Sequence, residues 1–416
     1  MSSDMSITQT LDLDFVRQQF PLQHWRQAFF ENAGGAFVPN SVIKRMSSYM
    51  GETQVQPGYP NPVSMDAAER MSLGQRLMSE MIGADTDEVT ISASTSINIY
   101  VLAQALRGLW QAGDEIVVST LNHEANSGPW RRLEEFGIKI VEWPTSLDST
   151  ALSVSDLEPL LGSKTRLVAF PQVSNITGDI NDVKAITARA HEAGALVCVD
   201  GVAYAPHRSI DVKDWDVDFY VFSFYKVFGP HLGCLYGKKD ILLEAKGQYH
   251  YFFPEDDLAH KLNPGGPNHE SIASLTGIAD YFASLYQHHY GDSGESFYQG
   301  TQRIYKLIAE HEESLAQQFL EFIGSKKQIK LLGGADSGKD SRVPTFSFQI
   351  EALPSLSVPG LVAKDGVAIA AGHFYAKRFL DSLSLTDKNV VRCSMAHYNT
   401  REDVERLIRS LDSLLS

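Results

Sequence analysis

Three features of the sequence predict an α/β protein with a mostly parallel seven-stranded sheet and a second, smaller α+β domain. Seven short apolar runs fall between residues 85 and 240, helical segments separate them, and the texture changes after Lys239. The runs are Val89–Ser92, Glu115–Ser119, Lys139–Trp143, Leu167–Gln172, Leu196–Asp200, Asp218–Ser223 and Gly233–Tyr236. Their near-continuous apolar character is what a sheet covered on both faces requires. Between two of them, Asn181–Ala193 carries Val183, Ile186 and Ala190 on one face and is followed by Gly194, so it reads as a crossover helix. Beyond Lys239, His, Tyr and Gly become frequent through Gln248–Gly266, and a long helical stretch runs from about Thr301 to Gly324. Strands are then expected at Gln328–Leu332, Thr345–Ile350, Val367–Ala371 and Val390–Ser394, with an amphipathic helix over Arg401–Leu415. The expected organisation is a segment 1–30 packing with the smaller domain, a large α/β domain over 31–290 and the smaller α+β domain over 291–416.

Composition narrows the classes of function. With 43% hydrophobic and 21% charged residues in 416, the chain is an ordinary globular protein rather than a disordered one. Lys plus Arg number 36 against 51 Asp plus Glu, and the net charge of -15 repels phosphate backbones and anionic membranes, so neither nucleic acid nor membrane is expected as a partner. The three cysteines, Cys198, Cys234 and Cys393, have no metal-ligand or disulfide spacing; no metal site is expected, and a reducing cytoplasm fits. The first 15 residues are acidic and lack a signal-peptide pattern, and no apolar run reaches 18 residues.

Gly333–Lys339 has the spacing of a phosphate loop, but Asp340 stands where Ser or Thr must ligate magnesium, and Arg342–Thr345 leads into a strand rather than a helix. A polar turn is the better reading. No GxGxxG follows the first strand, so a dinucleotide site lacks its fingerprint. The informative block is Val197–Asp200 followed by Phe222–Pro230. Asp200 ends a buried run at the edge where ligands bind in open α/β sheets. Lys226, set among Phe224, Tyr225, Val227 and Phe228, should have a depressed pKa. The two residues are either a structural ion pair or a nucleophilic amine with the anionic partner that a pyridoxal phosphate ring nitrogen needs.

Seven stretches, Phe29–Gly35, Asn122–Asn126, Ser174–Gly178, Asp200–His207, Ser223–Lys226, Pro264–Pro267 and Arg392–Thr400, resemble in order the cysteine desulfurase-like group of class V aminotransferases. The resemblance implies a fold-type-I, pyridoxal 5'-phosphate-dependent homodimer with sites shared between subunits. It implies that Lys226 forms the Schiff base with the cofactor and then moves protons, that Asp200 holds the pyridinium proton and that His123 stacks on the ring. Asn175 corresponds to the residue on the phenolic oxygen, and Thr95, Ser96, Ser223 and Tyr225 to the phosphate cradle. Gly266 stands where many relatives have a Thr that reaches the neighbouring subunit's phosphate. Arg392, with Asn32 and Gly34, corresponds to the substrate site, Arg392 holding the α-carboxylate.

Departures from the family pattern bear on the reaction. In Gly372–Ala376, Tyr375 replaces the loop cysteine that attacks sulfur in desulfurases, Ala203 replaces a polar cofactor contact, and Tyr225 replaces a His beside the lysine. The expectation is a lyase or transferase acting on a small amino acid through an external aldimine and a Cα carbanion. β-Elimination of the carbon–sulfur lyase type, without a persulfide cysteine, is the favoured outcome. Transamination and epimerisation are the alternatives, and a catalytically silent binding homologue comes after them.

Overall fold

A computed structural model describes residues 10–145, 150–292 and 294–415. Its main sheet contains β2 (Val89–Ser92), β3 (Glu115–Ser119), β4 (Lys139–Trp143), β5 (Thr165–Pro171), β6 (Leu196–Asp200), β7 (Phe219–Ser223) and β8 (Gly233–Gly237), in the order β2-β8-β7-β6-β5-β3-β4. All neighbours pair in parallel except β8, which runs antiparallel to both β2 and β7. A two-stranded parallel pair joins β1 (Ala28–Phe29) to β11 (Val367–Ala368). A four-stranded antiparallel sheet has the order β12 (Ala370–Gly372), β13 (Val390–Ser394), β10 (Thr345–Ile350), β9 (Ile329–Leu332).

Alternation of side chains explains why the main-sheet strands read as unbroken apolar runs. Ile116, Val118, Leu167, Ala169, Cys198, Phe219 and Val221 face one core, built largely on helix Thr95–Leu106. Val117, Val168, Phe170, Val197, Val199, Tyr220 and Phe222 face the other. Because β3, β5, β6 and β7 are buried on both sides, no polar alternation survives in them, whereas the edge strand β4 exposes Lys139 and Glu142. The crossover helix forms at Val183–Glu192, with Asp182 accepting the N–H of Ala185 at its N-cap.

A third core lies between the four-stranded sheet and the helices Phe297–Ser325 and Arg401–Ser413, each of which starts with a capping box. The 29-residue helix Phe297–Ser325 ties this core to the main-sheet core that holds Val117 and Phe170: Ile304, Tyr305 and Ile308 pack in the main-sheet core, Leu315, Phe319 and Ile323 in the third. The N-terminal segment does the same, with Val16 and Phe20 in that main-sheet core and Ala28 and Phe30 in the third. The stretch Val367–Ala371, expected as one strand, is two: β11 pairs with β1, and β12 with β13. Among the described residues no helix is long and apolar enough to cross a membrane.

His191 closes the crossover helix onto the sheet by pairing its Nε2 with Asp218 at 2.8 Å, and Asp218 also accepts the N–H of Val197. The hydrogen bond to Asp218 raises the His191 pKa, against a smaller opposing effect of burial. A raised folded-state value stabilises fully below the unfolded value of about 6.5 and is lost as pH rises through the folded value. His191→Gln should therefore cost up to about 1 kcal/mol at pH 6 and much less at pH 9, read from urea unfolding midpoints.

Candidate active site

The carboxyl ends of β5, β6 and β7, with the N-terminus of helix Thr95–Leu106, enclose a cavity of about 80 Å³. It is lined by Ser94, Thr95, Ser96, His123, Asn175, Asp200, Ala203, Ser223, Tyr225 and Lys226, with Ala125, Pro171, Val173 and Val202 as apolar wall. Eight of the twelve residues expected at the cofactor and substrate sites thus converge on one space, from segments more than 100 residues apart.

Lys226 sits in the short turn that leaves β7, where Ser223 ends the strand and Phe228 adopts φ +61° to turn the chain back toward β8. Its side chain is buried, and burial, with the nearby Arg392 cation, pushes the amine's pKa well down; Asp200 opposes this only in part. Asp200 ends β6, where burial pushes its carboxyl up, while the N–H of Val202 and the charge of Lys226 pull it back. Two opposite charges buried in one cavity, with no hydrogen bond between them among the described residues, are costly, and such a pair suits a group that inserts between them.

His123 is neutral: burial, Lys226 and Arg392 push its pKa down to about 3. Its Nδ1 accepts the N–H of Ala125 at 3.0 Å, so the ring proton is on Nε2. The phosphate-cradle expectation is modified in detail. Thr95 Oγ1 donates to Phe222 O at 2.8 Å, so its 2.7 Å contact with Ser223 is made by the Ser223 proton. Both hydroxyl protons are spent within the wall. What remains for an anion is the Ser96 hydroxyl and the Thr95 and Ser96 N–H groups, since Ser94 takes the N–H of Ile97. Gly233 permits this arrangement, because a Cβ there would stand 2.3 Å from Thr95 N and 2.4 Å from Ser94 C.

Asn175 projects from a loop held by the second sheet. Gly178, at φ +76°, lets the loop approach so closely that a Cβ would meet Thr345 O at 2.3 Å. The buried Arg342 guanidinium donates to Thr177 O, Thr345 O and Gly334 O, tying the loop to the 333–345 turn. That turn is the phosphate-loop look-alike, and Asp179 takes its Gly334 N–H. Asn175 Nδ2 donates to Phe374 O at 2.9 Å, which leaves Oδ1 buried without a partner among the described residues. An unpaired acceptor here suits a protonated group on a ligand.

Arg392, on β13, is not part of this lining but is close enough for its charge to act on Lys226 and His123. It is buried, donates Nη1–H to Asn175 O at 3.1 Å, and lies with Cζ 3.7 Å from the Phe374 ring centroid. Burial pushes it down to about 10 despite Glu31, its main favourable anion. Asn32, expected to contact substrate, instead spends its carboxamide on the fold: Nδ2 donates to Ser394 O at 2.8 Å and Asn399 Oδ1 at 3.2 Å, and Tyr398 donates to Oδ1. Gly34 forms the turn closed by its N–H to Glu31 O at 2.8 Å. Gly266 lies in a different cavity, of about 530 Å³, with Gln56, His250, His260 and His269. Tyr225 lines the Lys226 cavity and stacks on His231 at 4.9 Å. Tyr375 is 68% exposed, its ring 5.3 Å from that of His123. Sequence reasoning missed the Phe374 ring and the Arg342 ties, whose partners are backbone atoms or stacking faces that no motif marks.

The geometry fits pyridoxal phosphate: a desolvated lysine, a buried carboxylate, a neutral imidazole, an unpaired acceptor and an open helix N-terminus face one space. Residues 28–407 match the aminotransferase class-V family. The chain is 39% identical to the aminotransferase-like protein FGM3 of Gibberella zeae, over 98% of this chain and 99% of that one. It is 33% identical to the cysteine desulfurase-like protein ustD of Aspergillus flavus, over 100% and 93%. Among solved structures, the cysteine desulfurase CsdA of Escherichia coli superposes with a TM-score of 0.80 at 25% identity, covering 98% of this chain and 100% of that one. The apo cysteine desulfurase of Thermococcus onnurineus shares the fold, with a TM-score of 0.83 at 22% identity over 97% and 98%. The chain belongs to the class V aminotransferase family, within its cysteine desulfurase-like members, which are pyridoxal-phosphate-dependent enzymes.

Gly233→Ala should force β8 away from the helix N-terminus, because the clash is with backbone that cannot rotate aside. The expected cost is about 1–3 kcal/mol, measured by urea unfolding.

Proposed function

We propose that this enzyme binds pyridoxal phosphate at Lys226 and performs β-elimination on a small α-amino acid, releasing the β-substituent to solution. The observation that carries the reading is a desolvated Lys226 facing Asp200 while the loop tip above them presents Tyr375 and not a thiol. The remaining cysteines support release rather than transfer: Cys198, Cys234 and Cys393 are buried in strands, and burial pushes each thiol's pKa up, which keeps it protonated and unreactive.

When bound, pyridoxal phosphate supplies a conjugated electron sink for the bonds at the amino acid's Cα. Asp200 holds a proton at the ring nitrogen. The Thr95 and Ser96 N–H groups and the Ser96 hydroxyl hold the phosphate. Arg392 orients the substrate through its α-carboxylate. Lys226, whose ammonium form burial disfavours, removes the Cα proton as general base. His123, neutral and with a fixed tautomer, offers its Nε2–H toward the same space. A homodimer belongs to the same proposal. Exposed Met50, Tyr59, Met65, Tyr251 and Phe252 support it, as does the placement of Gly266 away from Lys226 within one chain. A cytoplasmic setting is also proposed.

With L-cysteine, pyruvate, ammonia and sulfide should accumulate in equal amounts over many turnovers without a 2-oxo acid, one water being consumed each time. Turnover that stops after one equivalent and resumes when a 2-oxo acid is added would establish transamination instead. Arg392→Ala should raise KM about 10- to 100-fold with a smaller effect on kcat, and an unchanged KM would remove Arg392 from carboxylate binding. Because the Lys226 amine is depressed, kcat should rise with pH and level off below the ordinary lysine value of about 10.4. A plateau reached only above that value would contradict general-base action by Lys226.

A further inference from the structure

The segment 372–376 forms a strap between the two sheets. It leaves β12, crosses the mouth of the site and enters helix Lys377–Ser382. Phe374 and Tyr375 adopt consecutive left-handed conformations, φ +48° and +58°, which bulky residues rarely hold unless their surroundings impose them. Two hydrogen bonds from neighbouring loops and two within the strap hold them here. Phe374 O accepts from Asn175 Nδ2 at 2.9 Å, Tyr375 O from Glu124 N at 2.8 Å, and His373 O from Ala376 N at 2.9 Å. His373 Nδ1 accepts the N–H of Tyr375 at 3.2 Å. Arg378, one turn further on, pairs with Glu124 at 2.9 Å and anchors the strap's far end.

The product of this bracing is the position of one ring. Phe374 lies 3.7 Å from Arg392 Cζ, inside the range of a desolvated cation–π contact. Among the described residues the guanidinium has one hydrogen bond, to Asn175 O, so Asn175 and Phe374 together hold it, and Asn175 itself is bonded to Phe374 O. The three groups form a closed cycle. A guanidinium stacked on one face is confined to a single plane, and its in-plane N–H pairs can meet a carboxylate side-on only in that plane.

We propose that Phe374 is a positioning residue that preforms the carboxylate site on Arg392, and that the strap thereby selects amino acids with a free α-carboxylate over their esters. The proposal rests on the assignment of Arg392 to the α-carboxylate. It accounts for a strained strap: relaxation of either left-handed residue would carry the ring off the guanidinium.

The test compares binding of 2-aminoisobutyrate, which has no Cα proton to lose, with that of its methyl ester, by calorimetry on the cofactor-loaded protein. The expected wild-type preference for the acid falls about tenfold in Phe374→Leu, which keeps the apolar bulk and removes the ring. Ester binding stays unchanged, and Phe374→Tyr restores the preference. A preference unchanged in Phe374→Leu, while Arg392→Ala abolishes it, overturns the role of Phe374 alone. A preference that survives Arg392→Ala overturns the carboxylate assignment, and the role of Phe374 with it. Equal weakening of acid and ester marks a merely structural ring and also overturns the proposal.

Discussion

The structure turns on a buried amine. Lys226 is buried, with a nearby second cation, Arg392, reinforcing the effect of burial and a carboxylate, Asp200, opposing it. A lysine so placed is an unstable element in isolation, because its charged form loses hydration and gains in return the Tyr225 ring, 5.8 Å from Nζ, and the charge of Asp200. The fold sustains it because each contributor hangs from a separate rigid strand: Asp200 from β6, the turn of Lys226 from β7 and Arg392 from β13. Those strands are anchored by cores on both faces of one sheet and by an independent core beneath the other. Packing energy spread over the whole chain thus supports a locally unfavourable arrangement, as reactive sites require.

The second sheet is as necessary to the site as the first. Arg392, the Phe374 strap and the Arg342 ties all come from it, and all converge on the loop that carries Asn175. The long helix Phe297–Ser325 and the N-terminal segment cross from one core to the other, which fixes the distance between Lys226 and Arg392. The left-handed Phe374 and Tyr375 stand where those two bodies meet. Strain collects at such a junction because neither side can yield without breaking its own packing.

Much of this was legible in the sequence. Two-face burial made the main strands visible as continuous apolar runs, and Lys226 and Asp200 were visible because a charge interrupts or ends such a run. The cradle residues Thr95, Ser96 and Ser223 and the ligand-facing His123 and Asn175 were located by resemblance to a family pattern, and the structure brings them to one cavity. What stayed hidden depended on hydrogen-bond direction or on contacts between distant segments. Thr95 and Ser223 spend their protons on each other and on Phe222 O. Asn32 has the right type and place but faces Ser394 and Asn399. The break in Val367–Ala371 reflects two strand partners, β1 and β13, which apolar patterning cannot distinguish.

The proposed chemistry requires Lys226 to be the covalent anchor of pyridoxal phosphate. Borohydride reduction of the protein loaded with pyridoxal phosphate, followed by peptide mapping in a mass spectrometer, tests it directly. A reduced phosphopyridoxyl group on the peptide containing Lys226, and on no other, is the predicted result. The same group on a different lysine, or no group on any peptide, would contradict the account.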